Sequence, residues 1–155
     1  MKEGDLIPPF RLQNQNGEWV EMEDYIGKKG LVLFFYPKDH TPGCTREARG
    51  FNEQYDEFRQ LGAALFGISG DDTQTHKSFC EKNGLSFPLL SDKGNKIRKA
   101  WKVPASLLGL IPGRVTYVID RSGRIRKIIN TQLDPQRHIE ASLATVRMLK
   151  EKGEI

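Results

Sequence analysis

The chain has 155 residues, of which 37% are hydrophobic and 28% charged, and its formal net charge is +4. This length and balance are typical of one globular domain, residues 1–155, whose core needs no disulfide or metal to fold. No apolar run approaches the roughly 20 residues of a membrane-spanning helix, and the first residues lack the apolar core of a secretory signal. We therefore expect a cytoplasmic protein. The basic residues are scattered rather than gathered in a stripe, which argues against nucleic-acid binding.

Taken in chain order, the spacing of apolar residues and the positions of turn residues predict strands that alternate with helices. Such alternation favours a parallel central sheet, and a closing hairpin adds antiparallel edge strands. The fold class is therefore α/β, a mixed sheet with helices on both faces and an N-terminal β-hairpin. The predicted elements are a hairpin over 10–20, a helical turn at 22–26, a buried strand at 31–36, a helix over 42–61, a strand at 63–68, a helix over 72–83, a short strand at 87–90, a helix through 97 and 101, a hairpin of 115–119 and 125–129, and a final helix from 134.

Residues 31–58 predict a strand, a short loop and a helix with a cysteine at its start. Residues 31–35 are an unbroken apolar run, as a strand buried on both faces requires, and beyond the loop apolar residues recur at helical spacing. Thr41 suits the N-cap and Pro42 the first helical position. Cys44 then lies in the first turn, where the helix dipole and unpaired N–H groups stabilise a thiolate. The sequence therefore predicts a nucleophilic cysteine.

Four other side chains suit thiol chemistry at this site, and each has a plain structural alternative. Pro37 ends the strand and could keep water from the thiolate. Thr41 could donate its hydroxyl to the sulfur or to a polarised oxygen, or could only cap the helix. Glu47 could orient a cation or complement the helix N-terminus. Arg114 directly precedes a predicted strand and could stabilise negative charge beside the sulfur, although spacing alone favours a surface arginine.

Only two cysteines are present, Cys44 and Cys80. A structural disulfide is not expected in a cytosolic chain with a core of this size, and two cysteines are too few for a structural zinc site, which needs four ligands. The residues alone leave a redox pair, one reactive thiol with a bystander, or two bystanders. We interpret His76, four residues before Cys80, as a solvated histidine. The apolar segment 104–113 is interpreted as a loop that is either a contact surface or folded onto the core.

One stretch resembles the active-site motif of the peroxiredoxins, Pro-x-x-x-Thr-x-x-Cys, and reads Tyr36-Pro-Lys-Asp-His-Thr-Pro-Gly-Cys-Thr-Arg-Glu47. In this fuller form it resembles the peroxiredoxin Q, or bacterioferritin-comigratory-protein, branch. The run from Gly113 to Asp120 resembles the segment that carries the active-site arginine of that family. The resemblance spans nearly the whole chain. It implies a thioredoxin-like fold and the reduction of hydroperoxides by thiol chemistry.

The resemblance also implies roles for the residues that match its motifs. Cys44 is the peroxidatic cysteine, which a hydroperoxide oxidises to sulfenic acid. Thr41 and Arg114 position and polarise the peroxide, Pro37 shields the site, and Glu47 is a secondary residue. No cofactor or metal is expected. The partners are a hydroperoxide and thioredoxin or a similar dithiol reductant, with neither nucleic acid nor membrane, and the protein is expected to be a monomer.

The chain departs from the resemblance at Arg49. Many members of the branch carry a resolving cysteine there, five residues after the peroxidatic one, whereas a second pattern places it on the following helix, where Cys80 falls. Cys80 is then the predicted resolving thiol, forming an intramolecular disulfide with Cys44 after local unwinding of both helix starts. The alternatives are a buried bystander at Cys80 with recycling by glutathione or glutaredoxin, and a non-catalytic thioredoxin-like binding or chaperone module.

Overall fold

The computed structural model describes residues 1–106, 109 and 111–155, and its centre is a seven-stranded mixed sheet. Its strands are β1 Arg11–Asn14, β2 Trp19–Glu21, β3 Gly30–Phe35, β4 Ala63–Ser69, β5 Leu89–Ser91, β8 Val115–Ile119 and β9 Ile125–Asn130, and β6 Ala105–Ser106 and β7 Ile111–Pro112 form a separate pair. The strand order in the sheet is β2-β1-β5-β4-β3-β8-β9. The pairs β3–β4 and β4–β5 are parallel, and the other pairs are antiparallel.

Helices cover both faces of the sheet, as expected, but unequally. Side chains of α1, α2, α3 and α5 share one buried cluster with every second residue of β3, including Val32 and Phe34. The intervening residues of β3 point into a second cluster, which the N-terminal segment, a 3₁₀ turn and Trp101 close. This division follows from the two-residue period of a strand. The helices are α1 Pro42–Glu53, α2 Tyr55–Gln60, α3 Thr73–Asn83, α4 Lys96–Ala100 and α5 Pro135–Glu151, with 3₁₀ turns at Met22–Asp24 and Lys93–Asn95.

Local signals predicted most of these element ends. Asp72 caps α3, its side chain accepting from the amide of Thr75 at 2.8 Å, and Gly84 ends that helix at φ 61°. Gly62 stands between α2 and β4 at φ 91°, a backbone conformation that favours glycine. The capping chemistry of these residues acts over a few positions, so the sequence alone is sufficient to find it.

Two predicted elements differ in the structure. The helix predicted over 42–61 divides at Gln54, whose φ and ψ of −103° and 3° are not helical. The division lets Phe51 and Phe58 pack in the same cluster with ring centroids 6.0 Å apart. The predicted loop 104–113 contains the antiparallel pair β6–β7 instead. The contact-surface interpretation rests on four apolar residues. Leu107, Leu108 and Leu110 lie outside the described residues, and the fourth, Ile111, is exposed.

The fold brings the candidate site residues to one edge of the sheet. Pro37 and Thr41 lie on the loop that leaves the carboxyl end of β3, and Arg114 directly precedes β8, the antiparallel neighbour of β3. The end of β3 therefore lies beside the start of β8, with Phe35 opposite Val115. Among the described residues, no helix is both long and apolar enough to cross a membrane.

Candidate active site

Cys44 lies in the first turn of α1 and is 2% exposed. Thr41 occupies the N-cap position with extended backbone angles, and Pro42 begins the helix, as predicted. The Thr41 hydroxyl makes no capping hydrogen bond within the described residues, however, and donates to the carbonyl of Lys38 at 2.8 Å. Pro37 is half-buried directly after Tyr36, at the start of the same loop. The chain thus holds a buried thiol at a helix N-terminus, where negative charge is stabilised.

Arg114 reaches this thiol from a distant part of the chain. Its Nη2 lies 3.5 Å from the sulfur of Cys44, and its Nη1 donates to Glu47 Oε1 at 2.9 Å. The backbone N–H and Nε of Arg114 donate to the side-chain and main-chain oxygens of Gln132 at 3.0 and 3.1 Å. The surface position favoured by spacing alone is therefore wrong, since Arg114 is only 5% exposed. Two contacts of the guanidinium, from Nη1 to Glu47 and from Nε to Gln132, therefore hold it against the sulfur.

The electrostatics of the site centre on Glu47, which is fully buried one turn after Cys44. Burial raises the pKa of the Glu47 carboxyl from 4.5 to about 7, and the Arg114 guanidinium opposes this rise. Burial acts to lower the pKa of Arg114, but Glu47 and Cys44 outweigh it and raise that pKa above its ordinary value. Arg114 therefore stays charged and faces two groups that can each carry a negative charge.

His138, in the first turns of α5, closes the site behind Glu47. Its Nδ1 lies 3.6 Å from Glu47 Oε2 and 2.7 Å from the hydroxyl of Thr116, while Nε2 lies 2.8 Å from the carbonyl of Thr131. Burial lowers the pKa of the His138 imidazole, which favours the neutral ring with Nε2 protonated. Glu47 Oε2 has no hydrogen-bond partner among the residues that the structure describes. The sequence reasoning did not identify His138.

Arg98 is a second buried arginine that the sequence reasoning missed. Its Nη2 donates to the carbonyl of Tyr36 at 3.0 Å and its Nη1 to that of Gly113 at 2.8 Å. It therefore ties the end of β3 to the residue before Arg114. In the sequence Arg98 lies among lysines, in the run Lys96-Ile97-Arg98-Lys99, which is one of the scattered groups of basic residues. No local pattern distinguishes it from them, since both of its partners are distant in the chain.

Cys80 lies on α3 and is 7% exposed, and both cysteines are free. Burial raises the pKa of the Cys80 thiol to about 12, with further increases from Asp39 and Glu81. The residue lines an open cavity of about 390 Å³ together with Asn16, Lys77 and Leu85. In this conformation Cys80 stays protonated and is not an activated nucleophile.

His76 is buried, so its interpretation as a solvated histidine is wrong. It is 0% exposed, with Nδ1 2.6 Å from Asp39 Oδ2 and Nε2 3.0 Å from the carbonyl of Leu90. Asp39 accepts a second hydrogen bond, from the Tyr36 hydroxyl at 2.6 Å. The sequence motif contains Tyr36 and Asp39, but nothing near His76 indicates that it would meet them.

Side chains of α1 also contact the end of α3. Arg49 donates from Nε to Asn83 Oδ1 at 2.9 Å, and Asn52 donates to the carbonyl of Gly84 at 3.1 Å. The side-chain Oδ1 of Asn52 accepts from the backbone N–H of Ser86 at 2.8 Å. The helix that carries Cys44 is therefore fastened to the end of the helix that carries Cys80.

Comparisons with known proteins agree with this geometry. The AhpC/TSA family model matches residues 4–128. The chain is 46% identical over 149 residues to the chloroplastic peroxiredoxin Q of Suaeda salsa, covering 96% of this chain and 69% of that protein, and 46% identical over 147 residues to that of Sedum lineare, covering 95% and 78%. This chain is a peroxiredoxin of the AhpC/TSA family, in the peroxiredoxin Q branch.

Solved structures place this peroxiredoxin in the same fold. The peroxidoxin BcpB of Mycobacterium tuberculosis superposes with a TM-score of 0.87 at 34% identity, covering 96% of this chain and 98% of that one. A cysteine-to-serine variant of peroxiredoxin Q from Xylella fastidiosa superposes with a TM-score of 0.86 at 32% identity, covering 96% of each chain. The thioredoxin-like fold is thereby confirmed, and the protein is a thiol-dependent peroxidase, an oxidoreductase.

Proposed function

We propose that this peroxiredoxin reduces hydrogen peroxide and organic hydroperoxides through Cys44, that Cys80 resolves the oxidised cysteine, and that thioredoxin or a similar dithiol recycles the enzyme. The observation that carries the proposal is the 3.5 Å contact between Arg114 Nη2 and the sulfur of Cys44 at the N-terminus of α1. A helix N-terminus and a fixed guanidinium both stabilise the thiolate, which is the reactive form.

In the first step the Cys44 thiolate attacks one oxygen of the hydroperoxide. The S–O bond forms as the O–O bond breaks, the sulfur is oxidised to sulfenic acid, and the departing oxygen takes a proton from solvent and leaves as water or an alcohol. Arg114 stabilises the charge that develops on the oxygens. The Thr41 hydroxyl donates to Lys38, so its oxygen is oriented to accept a hydrogen bond from the peroxide. The half-buried Pro37 limits the access of water.

In the second step the Cys80 thiol attacks the sulfenic sulfur of Cys44. The S–S bond forms, the S–O bond breaks, and the Cys80 proton leaves with the hydroxyl as water. The spacing of the cysteines supports this role. Two solved structures of the Xanthomonas campestris relative are cysteine-to-serine variants at positions 36 residues apart, which is also the separation of Cys44 and Cys80.

In the third step a dithiol reduces the disulfide by thiol exchange and is itself oxidised to a disulfide. Both cysteines belong to one chain, so the cycle needs no second copy, which suits the proposed monomer. A cytoplasmic location stays a prediction, and the relatives from Suaeda salsa and Sedum lineare are chloroplastic proteins.

The test is mass mapping after one equivalent of peroxide, followed by turnover with thioredoxin and thioredoxin reductase. We expect a Cys44–Cys80 bridge, no peroxide consumption by Cys44→Ser, and collapse of thioredoxin-dependent turnover in Cys80→Ser. Ser78→Ala, an exposed change on the same helix, is the matched control. Turnover that survives in Cys80→Ser with glutathione and glutaredoxin, and a mixed disulfide on Cys44, would instead support the one-cysteine alternative.

A further inference from the structure

Three buried polar side chains outside the peroxide site form a connected network. Tyr36, Asp39 and His76 are 1%, 2% and 0% exposed. The Tyr36 hydroxyl donates to Asp39 Oδ1 at 2.6 Å, and His76 Nδ1 lies 2.6 Å from Asp39 Oδ2. Asp71 extends the network, since its Oδ2 accepts from the Asp39 amide at 2.8 Å and from the Ser69 hydroxyl at 2.6 Å.

The contacts of His76 fix its protons. Nε2 faces the carbonyl of Leu90, which can only accept, and Nδ1 faces a carboxylate oxygen of Asp39. One proton therefore lies on Nε2 and another lies between Nδ1 and Oδ2. The His76 ring and the Asp39 carboxylate together carry no net charge, as in a buried salt bridge. Asp39, Asp71 and His76 also offer atoms of the kind that bind metal ions, and these atoms lie close enough together to hold one. Their facing atoms, however, already bond to one another or to neighbouring protein groups.

The network joins the two segments that carry the cysteines. Asp39 lies in the loop between β3 and α1, five residues before Cys44, and His76 lies on α3, one turn before Cys80. A second contact reinforces the junction, since the ring of His40 packs edge-on against Phe79 with centroids 5.3 Å apart. The loop that shapes the peroxide site is therefore fastened to α3 at the turn that precedes the proposed resolving thiol.

The positions of the two thiols require a movement before they can bond. Cys44 contacts Arg114 at the start of β8, whereas α3 packs on β5 and β1. Strands β5 and β8 are three inter-strand spacings apart, about 14 Å. A disulfide needs Cα atoms within about 7 Å of each other, so from the separation of these strands we infer that α1, α3 or both leave their present positions when the bridge forms. The contacts that hold the loop to α3 oppose such a movement.

We propose that Asp39 and His76 are positioning residues for the resolving step, acting as a latch that holds the loop before Cys44 and the helix of Cys80 in the reduced arrangement until the sulfenic acid has formed. This inference rests on the proposed function of Cys80. The latch keeps the peroxide site assembled for the first step and opens for the second. Its strength therefore sets how long the sulfenic acid persists, and hence how often a second peroxide converts it to sulfinic acid.

Variants of Asp39 and His76 test the latch. His76→Leu removes both ring donors. The double variant Asp39→Asn/His76→Leu does the same without leaving a buried unpaired carboxylate, should the single variant fold poorly. Asp39→Asn alone is the conservative variant, because its amide still accepts from Tyr36 and can donate to Nδ1 of a neutral His76. Gln74→Ala, exposed on the same helix, is the control.

The readout is rapid-quench mass spectrometry of the two oxidation steps. We expect disulfide formation to be at least about tenfold faster in His76→Leu and in the double variant. The amount of sulfinic acid formed at excess peroxide should fall in both, and the rate of sulfenic acid formation should not increase. Asp39→Asn and Gln74→Ala should stay near the wild-type rates. A general loss of structure would slow both steps, so a faster resolving step distinguishes the latch from a structural role. An unchanged or slower resolving step in the folded double variant overturns the inference.

Hydrogen exchange separates failure of the latch from failure of the proposed function. In a Cys80→Ser background, where no bridge can form, adding His76→Leu should accelerate amide exchange in residues 73–83 and 38–44 by about tenfold, with β3 and β4 unchanged. If wild type forms no Cys44–Cys80 bridge but this regional increase is present, Asp39 and His76 do hold the loop to α3, and the failure belongs to the proposed function of Cys80 and to the resolving step that the latch would control. No increase, or a uniform one across the sheet, overturns the latch.

Discussion

Arg114 and Glu47 are separated by 67 positions, yet Nη1 of the arginine donates to the glutamate at 2.9 Å in a buried site. The same guanidinium reaches the Cys44 sulfur through Nη2. A planar fork can make both contacts at once, whereas an ammonium is a single point charge. Glu47 thus fixes the orientation in which Arg114 faces the thiolate and an incoming peroxide.

Arg114→Lys tests this orientation while keeping the positive charge. We expect the rate constant for Cys44 oxidation to fall on the order of 100-fold, because one fixed donor to the transition state is lost. Single-turnover mixing with hydrogen peroxide measures this rate constant. Arg124→Lys is the matched control, since Arg124 is exposed and donates to the carbonyl of Gly4. A rate within twofold of wild type would show that charge alone is sufficient.

The Glu47 carboxyl should give a distinctive dependence of stability on pH. Its pKa is raised by burial from 4.5 to about 7, so between these pH values the folded protein holds a proton that the unfolded chain has lost. Its contribution to the free energy of unfolding is then fully present below pH 4.5 and is lost as the pH rises to about 7. At 1.36 kcal/mol per pKa unit the loss is on the order of 3 kcal/mol.

Glu47→Gln removes this titration, and urea unfolding at several pH values from 5 to 8 measures the result. We expect the stability of wild type relative to the variant to decrease as the pH rises to about 7 and to be constant above it. The lowered pKa of His138 gives a slope of opposite sign. Because that slope makes stability rise with pH, it does not produce the expected decrease. A pH-independent difference would contradict the titration.

Gly43→Ala should separate activity from stability. A Cβ at Gly43 would lie 3.0 Å from Arg114 Nη2, so the guanidinium has to shift by a few tenths of an ångström. We expect Cys44 oxidation to slow severalfold, while the free energy of unfolding stays constant or rises by up to about 1 kcal/mol because alanine favours a helix over glycine. Peroxide kinetics and urea unfolding on the same preparation measure both. An unaltered rate would show that Arg114 tolerates displacement.

Features that depend on neighbouring residues were predictable from the sequence, and features that depend on distant ones were not. The buried strand before the cysteine and the helix beginning at Pro42 follow from local pattern and capping. The burial of His76 depends on Asp39, 37 positions away, and that of Arg98 on Tyr36, 62 positions away. No local signal marks either residue. Without the family resemblance, spacing alone would also have left Arg114 on the surface.

Arg49 offers a direct test of how the resolving thiol can be supplied. It is exposed on α1, five residues after Cys44, and its present role is to donate to Asn83 of α3. Five residues of a helix advance about 7.5 Å along its axis, so a bridge between these positions requires the first turns of α1 to unwind. A cysteine at this position would need no movement of α3.

We expect Arg49→Cys in a Cys80→Ser background to restore the thioredoxin-dependent turnover that Cys80→Ser loses, with a disulfide between residues 44 and 49 seen by mass mapping. Arg49→Ser/Cys80→Ser is the control, because it loses the same contact with Asn83 without gaining a thiol. Restoration only in the cysteine variant would show that α1 unwinds readily enough to resolve Cys44 by itself. If neither double variant turns over, unwinding of α1 is insufficient and movement of α3 is essential to the cycle.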